Sequence, residues 1–287
     1  MAALLALLSA LVYGAGDFAG GLLSRRLPPV AVVWRTAMIG LAGLLVLALL
    51  TTAAEVRPGD LGVGAVGGLV GGVGILLLYR ALADGTMSVV APTTAVLAAM
   101  VPVAVGIADG ERPGAVALAG IPVALAAIFL LARDPDAAGP AEGMRPGVML
   151  EAVGAGASFG IFFVCLDAAG DDAGMWPLVA GRAASVTLFS IIVATVAAHR
   201  IGRTGRRDAG PGTTRLLLAC GACDAAANAL FLLATHRGLL SLVAVLGSLY
   251  PASTVLLATT VTHERLARSQ VVGVVLALIG AAAITAG

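Results

Sequence analysis

Polar side chains inside two apolar segments of the chain have the types and the spacing that can bind a small molecule. Asp224 and Asn228 stand four residues apart in "CGACDAAANALF", and Asp17 follows Tyr13 by four residues in "YGAGDFAGG". On a helix each pair lies on one face. A carboxylate in apolar surroundings can bind a polar group or carry a proton. Asp224 is the first candidate; the alternative is a structural role, in which it bonds a neighbouring helix or pairs with an arginine.

Four aromatic residues could complete such a site. Tyr79 and Tyr250 each offer a ring with a hydroxyl group, and Phe159 and Phe163 offer an apolar wall. Both tyrosines have a competing interpretation, because tyrosine also anchors helices at membrane interfaces. Asp17 has one too, because it lies near the end of its apolar segment.

The remaining spacing motifs do not predict chemistry. Cys220 and Cys223 form a C-x-x-C pair, but a zinc site needs further ligands, and the histidines are scattered near segment ends. Gly62, Gly64 and Gly67 have the G-x-G-x-x-G spacing of a dinucleotide-binding loop, which requires a strand before it and a helix after it. The sequence therefore predicts no metal, no cofactor and no enzyme active site.

The composition indicates the environment of these polar groups. Of 287 residues, 60% are hydrophobic and 11% are charged, whereas a soluble domain has about 25% charged residues. The mean hydropathy is +1.03. The net charge of +1 offers no basic surface for nucleic acid. The chain is therefore predicted to lie in a lipid bilayer.

Apolar segments near the length of a membrane span, roughly 20 residues, recur ten times along the chain. They cover residues 2–23, 30–50, 61–83, 86–108, 114–132, 147–166, 175–198, 214–235, 239–261 and 268–286. The glycines of segment 61–83 also recur every four residues, which favours close helix packing over nucleotide binding. Residues 133–146 are predicted to link two domains, 1–132 and 147–287. The predicted fold class is all-α and integral to the membrane, with ten transmembrane helices.

The two halves of the chain resemble each other. A shift of 153 residues aligns Ser88 with Ser241, and Glu111-Arg112 with Glu264-Arg265. Five helices in each half make the second repeat enter the membrane in the opposite orientation. Inverted repeats with a site between them are typical of secondary transporters.

The turns after the fourth and ninth segments carry a family resemblance. "GERPGAVALAG" and "HERLARSQVVG", with "YRALADG" (79–85) and "LYP" (249–251), resemble motifs of EamA-type transporters of the drug/metabolite transporter superfamily. The resemblance implies two five-helix repeats, with helices one, three, four, six, eight and nine lining a central cavity. It also matches Arg35 and Arg182, early in the second helix of each repeat. Structural or gating roles are expected for six residues: Arg35, Arg182, Glu111, Glu264, Pro92 and Pro251.

The resulting prediction is a secondary transporter, an exporter, that moves small metabolites or drugs across the plasma membrane by alternating access. Its partners would be a small-molecule substrate, with or without coupling to protons, and the lipid bilayer, with the chain acting as a monomer or a homodimer. The arginine bias of the connections favours both termini outside the cell. Two alternatives stay open: a polytopic protein that moves or modifies lipid, and a membrane scaffold.

Overall fold

The described part of the chain is built from α-helices and contains no strand. The computed structural model describes residues 1–24, 27, 29–84, 87–132, 146–199, 212–261 and 267–287. Its helices are α1 (Ala2–Ser24), α2 (Pro29–Leu50), α3 (Pro58–Asp84), α4 (Met87–Ala108), α5 (Ala115–Ala132), α6 (Pro146–Asp167), α7 (Trp176–His199), α8 (Thr213–Thr235), α9 (Leu240–Gly247), α10 (Tyr250–Val261) and α11 (Arg268–Ala286).

Most of these helices are long and apolar enough to cross a bilayer. Within the described ranges, eight helical segments meet that criterion, and one of them, Leu240–Val261, combines α9 and α10. Two shorter apolar segments, Thr93–Ala108 and Ala115–Leu131, belong to α4 and α5. The helices agree closely with the apolar segments of the sequence because long apolar runs end at short polar connections.

The ninth apolar segment, predicted as one span over 239–261, is not a continuous helix. It is divided into α9 and α10, with Ser248 and Leu249 between them. Pro251 explains the break, because its nitrogen carries no hydrogen and its ring would clash with the carbonyl of Gly247 in an uninterrupted helix. In the first repeat Ala98 occupies the matching position, and α4 continues from Met87 to Ala108.

Helix contacts repeat between the two halves of the chain. The packing of α1 on α8 has its counterpart in α6 on α3, and that of α2 on α8 in α7 on α3. Likewise α4 packs on α6 as α9 and α10 pack on α1. The contacts of α2 with α7, α4 with α9, and α5 with α11 join equivalent helices. Exchanging the halves therefore preserves the arrangement, as expected for a pseudo-two-fold axis.

The glycines of α3 allow this packing. A Cβ on Gly68 would overlap the backbone of Gly181 on α7, and one on Gly74 would come within 2.9 Å of the Ser158 side chain on α6. The G-x-G-x-x-G spacing lies inside one helix, so no strand precedes it there. The interpretation of the glycines that recur every four residues as helix-packing positions is confirmed.

One end of the bundle is closed by contacts between its connections, 51–57, 109–114, 168–175 and 236–239; we call it the terminal face. The amides of Ala54 and Glu55 donate to the carbonyl of Asp172 at 2.9 and 3.2 Å. His236 lies 3.2 Å from the carboxylate of Asp171. Both chain termini reach this face, where Ala2 borders Gly238 and Gly287 borders Gly114. The chain therefore crosses the bundle an even number of times.

Candidate functional site

A chain of polar contacts crosses the middle of the bundle. Arg182 on α7 donates from Nη2 to Oδ2 of Asp224 on α8. Asn228, one turn further along α8, donates from Nδ2 to the Asp224 carbonyl at 2.7 Å. Tyr13 on α1 donates its hydroxyl hydrogen to Oδ1 of Asn228 at 2.9 Å. We call these four residues the central network; it joins α1, α7 and α8 midway along an apolar helix.

The central network is half-enclosed by protein. Asn228 is buried, whereas the side chains of Arg182 and Asp224 are 16% and 34% exposed. Asp224 lies eleven residues into α8, about 16 Å along a helix that rises 1.5 Å per residue. A charge at that depth in an apolar bundle needs a partner or a cavity. Arg182 is that partner. Asp224 therefore forms the pair with an arginine that its structural role would require.

Small residues bring the neighbouring helices close to this pair. A Cβ on Gly40 of α2 would lie 3.4 Å from Oδ2 of Asp224. On α1, a Cβ at Gly16 would lie 3.3 Å from the Cβ of Cys223, and the thiol of Cys220 donates to the Gly16 carbonyl at 3.3 Å. The C-x-x-C pair thus packs α1 on α8. No group of three potential metal ligands occurs among the described residues.

Asp17 and Tyr250 extend the central network along α1. The rings of Tyr13 and Tyr250 are tilted, with centroids 6.4 Å apart. Asp17 is exposed, stands one turn after Tyr13, and lies within electrostatic range of Asp224 and Tyr250. Neither the Asp17 carboxylate nor the Tyr250 hydroxyl forms a hydrogen bond or ion pair with the described residues.

The helix break positions Tyr250. Tyr250 begins α10, and two hydroxyl groups on the first turn of α10 fix that helix to α1. Ser253 donates to the carbonyl of Ala10 at 3.1 Å, and Thr254 donates to that of Gly14 at 3.2 Å. The tyrosine ring is thereby held over α1.

The other aromatic candidates lie elsewhere. Phe163 is buried and stacks on Phe231, with ring centroids 4.3 Å apart. Phe159 faces α3, where a Cβ on Gly74 would lie 3.0 Å from its ring. The structure therefore brings Tyr13, Asp17, Tyr250, Asp224 and Asn228 together and leaves both phenylalanines against other helices.

Apart from Arg182, the residues expected to act in structure or gating do not join the central network. Arg35 on α2 is exposed and forms no ion pair with the described residues. Pro251 is the second residue of α10. The side chains of Tyr79 and Pro92 and the whole of Glu264 lie outside the described residues.

Glu111 caps a distant helix. Its carboxylate accepts hydrogen bonds from the amides of Leu240 and Ser241, the latter at 3.0 Å, at the start of α9. A negative charge there satisfies free amides and complements the helix dipole. Gly106 gives the carboxylate room, because a Cβ on Gly106 would overlap it. Sequence reasoning places Glu111 in a turn but cannot identify the helix it caps.

Comparison with known proteins agrees with this architecture. A solved crystal structure superposes on the chain with a TM-score of 0.78 at 19% sequence identity, over 99% of this chain and 96% of the other. That likeness establishes the fold alone. No curated protein matches the sequence.

The family assignment rests on a match to nearly the whole chain. The model of the EamA-like transporter family matches residues 1–133 and, a second time, residues 147–286. The resemblance seen in the two turn motifs is thereby confirmed. With its apolar helices, the chain is a multi-pass membrane protein, and it belongs to the EamA-like transporter family of the drug/metabolite transporter superfamily.

Proposed function

We propose that this chain is a secondary transporter that exports small organic metabolites or drugs by alternating access. The observation that carries the proposal is the central network, a paired carboxylate with an amide and a phenol midway through an apolar bundle. Ionisable groups at such depth typically mark a substrate or ion pathway. Family membership supports the same conclusion.

The proposed topology has ten spans in two inverted repeats. The eight long apolar segments give eight spans, and α4 and α5, with 22 and 18 residues, supply the other two. At about 1.5 Å per residue they are long enough to cross a bilayer core that is locally thinned. The repeats are proposed to comprise residues 1–132 and 147–287, joined by 133–146, with Pro146 already in α6.

The orientation of the helices supports the inversion. The first repeat begins at the terminal face, where Ala2 borders Gly238. The second begins at the opposite end, because α6 finishes beside connection 168–175 on the terminal face. Two such repeats can rock against each other about a site between them.

Alternating access would require contacts of the terminal face to open and re-form. The candidates are the Glu111 cap on α9, the contact of His236 with Asp171, and the bonds to the Asp172 carbonyl. Few polar bonds would have to change if the helices of each repeat moved as rigid bodies. Asp224 is the proposed coupling group, with Arg182 as the charge that it exchanges for a proton.

Two other functions predict different features. A lipid-modifying enzyme needs a catalytic cluster at one interface, and a scaffold has no use for a charged network in the centre of its bundle. A protein that moves lipid is the closer alternative, because it too can use a polar path. Its substrate would be retained in the bilayer, whereas a metabolite transporter binds compounds from water.

A ligand-dependent thermal-shift screen of the purified protein tests the proposal. The compounds are amino acids, nucleosides, sugars and cationic drugs, with Asp224→Asn measured beside the wild type. We expect a water-soluble compound to raise the apparent melting temperature of the wild type and to raise that of the variant less. Stabilisation by lipids alone would support the lipid alternative. A shift that persists unchanged in Asp224→Asn would exclude the central network as the site.

A further inference from the structure

Some of the charged residues in the middle of the bundle have an ion-pair partner among the described residues, and others do not. The helices α1, α2, α7 and α8 carry four charged residues away from their ends: Asp17, Arg35, Arg182 and Asp224. Arg182 and Asp224 form an ion pair. Asp17 and Arg35 form none with the described residues. The carboxylate of Asp17 is thus the negative charge of the site that has no ion-pair partner among the described residues.

Two tyrosines lie within electrostatic range of that carboxylate. Tyr13 precedes Asp17 by one helical turn, and Tyr250 packs on Tyr13 from α10 with 6.4 Å between ring centroids. Tyr13 is fixed by its bond to Asn228, at 2.9 Å. Tyr250 keeps its hydroxyl free of hydrogen bonds to the described residues. A carboxylate beside two phenol rings is a combination that attracts organic cations, by charge and through the faces of the rings.

We propose that Asp17, Tyr13 and Tyr250 bind the positively charged group of the transported molecule, so that the substrate class is small organic amines and ammonium ions. This inference rests on the proposed function. The Arg182–Asp224 pair stays intact on binding the cation, and the substrate neutralises Asp17.

The electrostatics disfavour the other charge types. An anionic substrate would meet Asp17 and Asp224 together, while the only arginine of the central network already binds Asp224. A neutral substrate would leave Asp17 uncompensated in an apolar bundle, which costs free energy. A cation satisfies the site without rearranging it.

Among the described residues, Arg35 is the competing partner for Asp17. It lies six residues from the start of α2, and Asp17 lies seven from the end of α1, so the two residues are at similar depth in consecutive helices. An ion pair between them in another conformation would remove the need for a cationic substrate. The experiment therefore includes a variant of Arg35.

Isothermal titration calorimetry on the protein in lipid nanodiscs distinguishes these cases. The probes share one shape and differ in charge: 2-phenylethylammonium, 2-phenylethanol and phenylacetate. We expect only the cation to bind the wild type, and to bind Asp17→Asn about tenfold or more weakly, as when one member of a charge pair is removed. Asp17→Glu should retain binding. Asp109→Asn, the same chemical change at an exposed position of the terminal face, should leave it unchanged.

Three results would overturn the cation site: no binding of the cation by the wild type, tighter binding of the alcohol or the carboxylate, or equal binding by a folded Asp17→Asn variant. An Arg35–Asp17 pair predicts that Arg35→Gln and Asp17→Asn lower the melting temperature alike while cation binding is unchanged, which would also refute the proposal.

Flux in proteoliposomes separates this inference from the proposed function. Wild-type protein that moves a neutral or anionic metabolite, unaffected by 2-phenylethylammonium, would refute the cation site and leave the transporter. Binding of the cation through Asp17 with no flux of any compound would leave the site and refute the transporter.

Discussion

Removing the arginine of the central network should destabilise the fold through the carboxylate that it leaves behind. Arg182→Met keeps most of the side-chain volume and removes the charge. The consequence is that Asp224 loses its ion-pair partner, midway along α8. The effect on the free energy of unfolding therefore depends on how far Asp224 can be reached by water.

The exposure of the two side chains determines how much free energy of unfolding is lost when the pair is broken. Breaking a fully buried pair costs about 3–5 kcal/mol, whereas an exposed pair contributes about 0–1 kcal/mol. Arg182 and Asp224 are 16% and 34% exposed, which places the expected loss between these limits, at about 2 kcal/mol. For a chain of this size that corresponds to a fall of about 4–6 °C in the apparent melting temperature.

A double-mutant cycle of thermal unfolding in one detergent measures the coupling. The variants are Arg182→Met, Asp224→Asn and the double substitution. The matched control is Arg35→Met, which changes an exposed arginine of α2 that has no ion pair among the described residues. We expect the control to keep the melting temperature of the wild type. The double variant should be about as stable as either single variant.

Additive losses of stability in the double variant would refute a coupling between Arg182 and Asp224. If the losses of the two single variants sum to that of the double variant within about 0.5 kcal/mol, the residues are not coupled. An equal fall for Arg35→Met would show that the loss of an arginine, and not of the pair, is responsible.

Three further variants test separate features by the same thermal assay. Glu111→Gln removes the charge that caps α9, so we expect a loss of about 1–2 kcal/mol; Glu55→Gln, exposed in a connection, should show none. Gly68→Ala forces α3 away from Gly181 and should cost about 1–3 kcal/mol, whereas Gly62→Ala has open space and should cost nothing. Tyr13→Phe leaves Oδ1 of Asn228 without its donor and should cost about 1 kcal/mol; no change would mean that water replaces the phenol.

Helix boundaries are the part of the fold that the sequence predicts best. Long apolar runs and short polar connections determine them locally, so the segment predicted at 268–286 coincides with α11. The break between α9 and α10 is harder to predict. Pro251 signals a disturbance, but a proline can kink a helix as well as interrupt it, and the outcome depends on how α1 and Glu111 hold the two parts.

The partners of the site residues are the part that the sequence could not supply. Spacing predicts that Asp224 and Asn228 share a face, because that relation is local. The pairing of Asp224 with Arg182 spans 42 residues, and the Glu111 cap on Leu240 spans 129. Both contacts depend on which helices pack together. That pairing of helices follows from the pseudo-two-fold arrangement of the two halves.

Proteoliposomes provide the most direct test of the central claim, that a paired carboxylate in the middle of this bundle couples transport. The measurement is uptake of a radiolabelled compound identified in the thermal-shift screen, first against its gradient with an imposed proton gradient, then as exchange across the membrane without one. We predict that the wild type does both and that Asp224→Asn retains exchange and loses uphill transport. Uphill transport that persists in Asp224→Asn would rule out Asp224 as the coupling group.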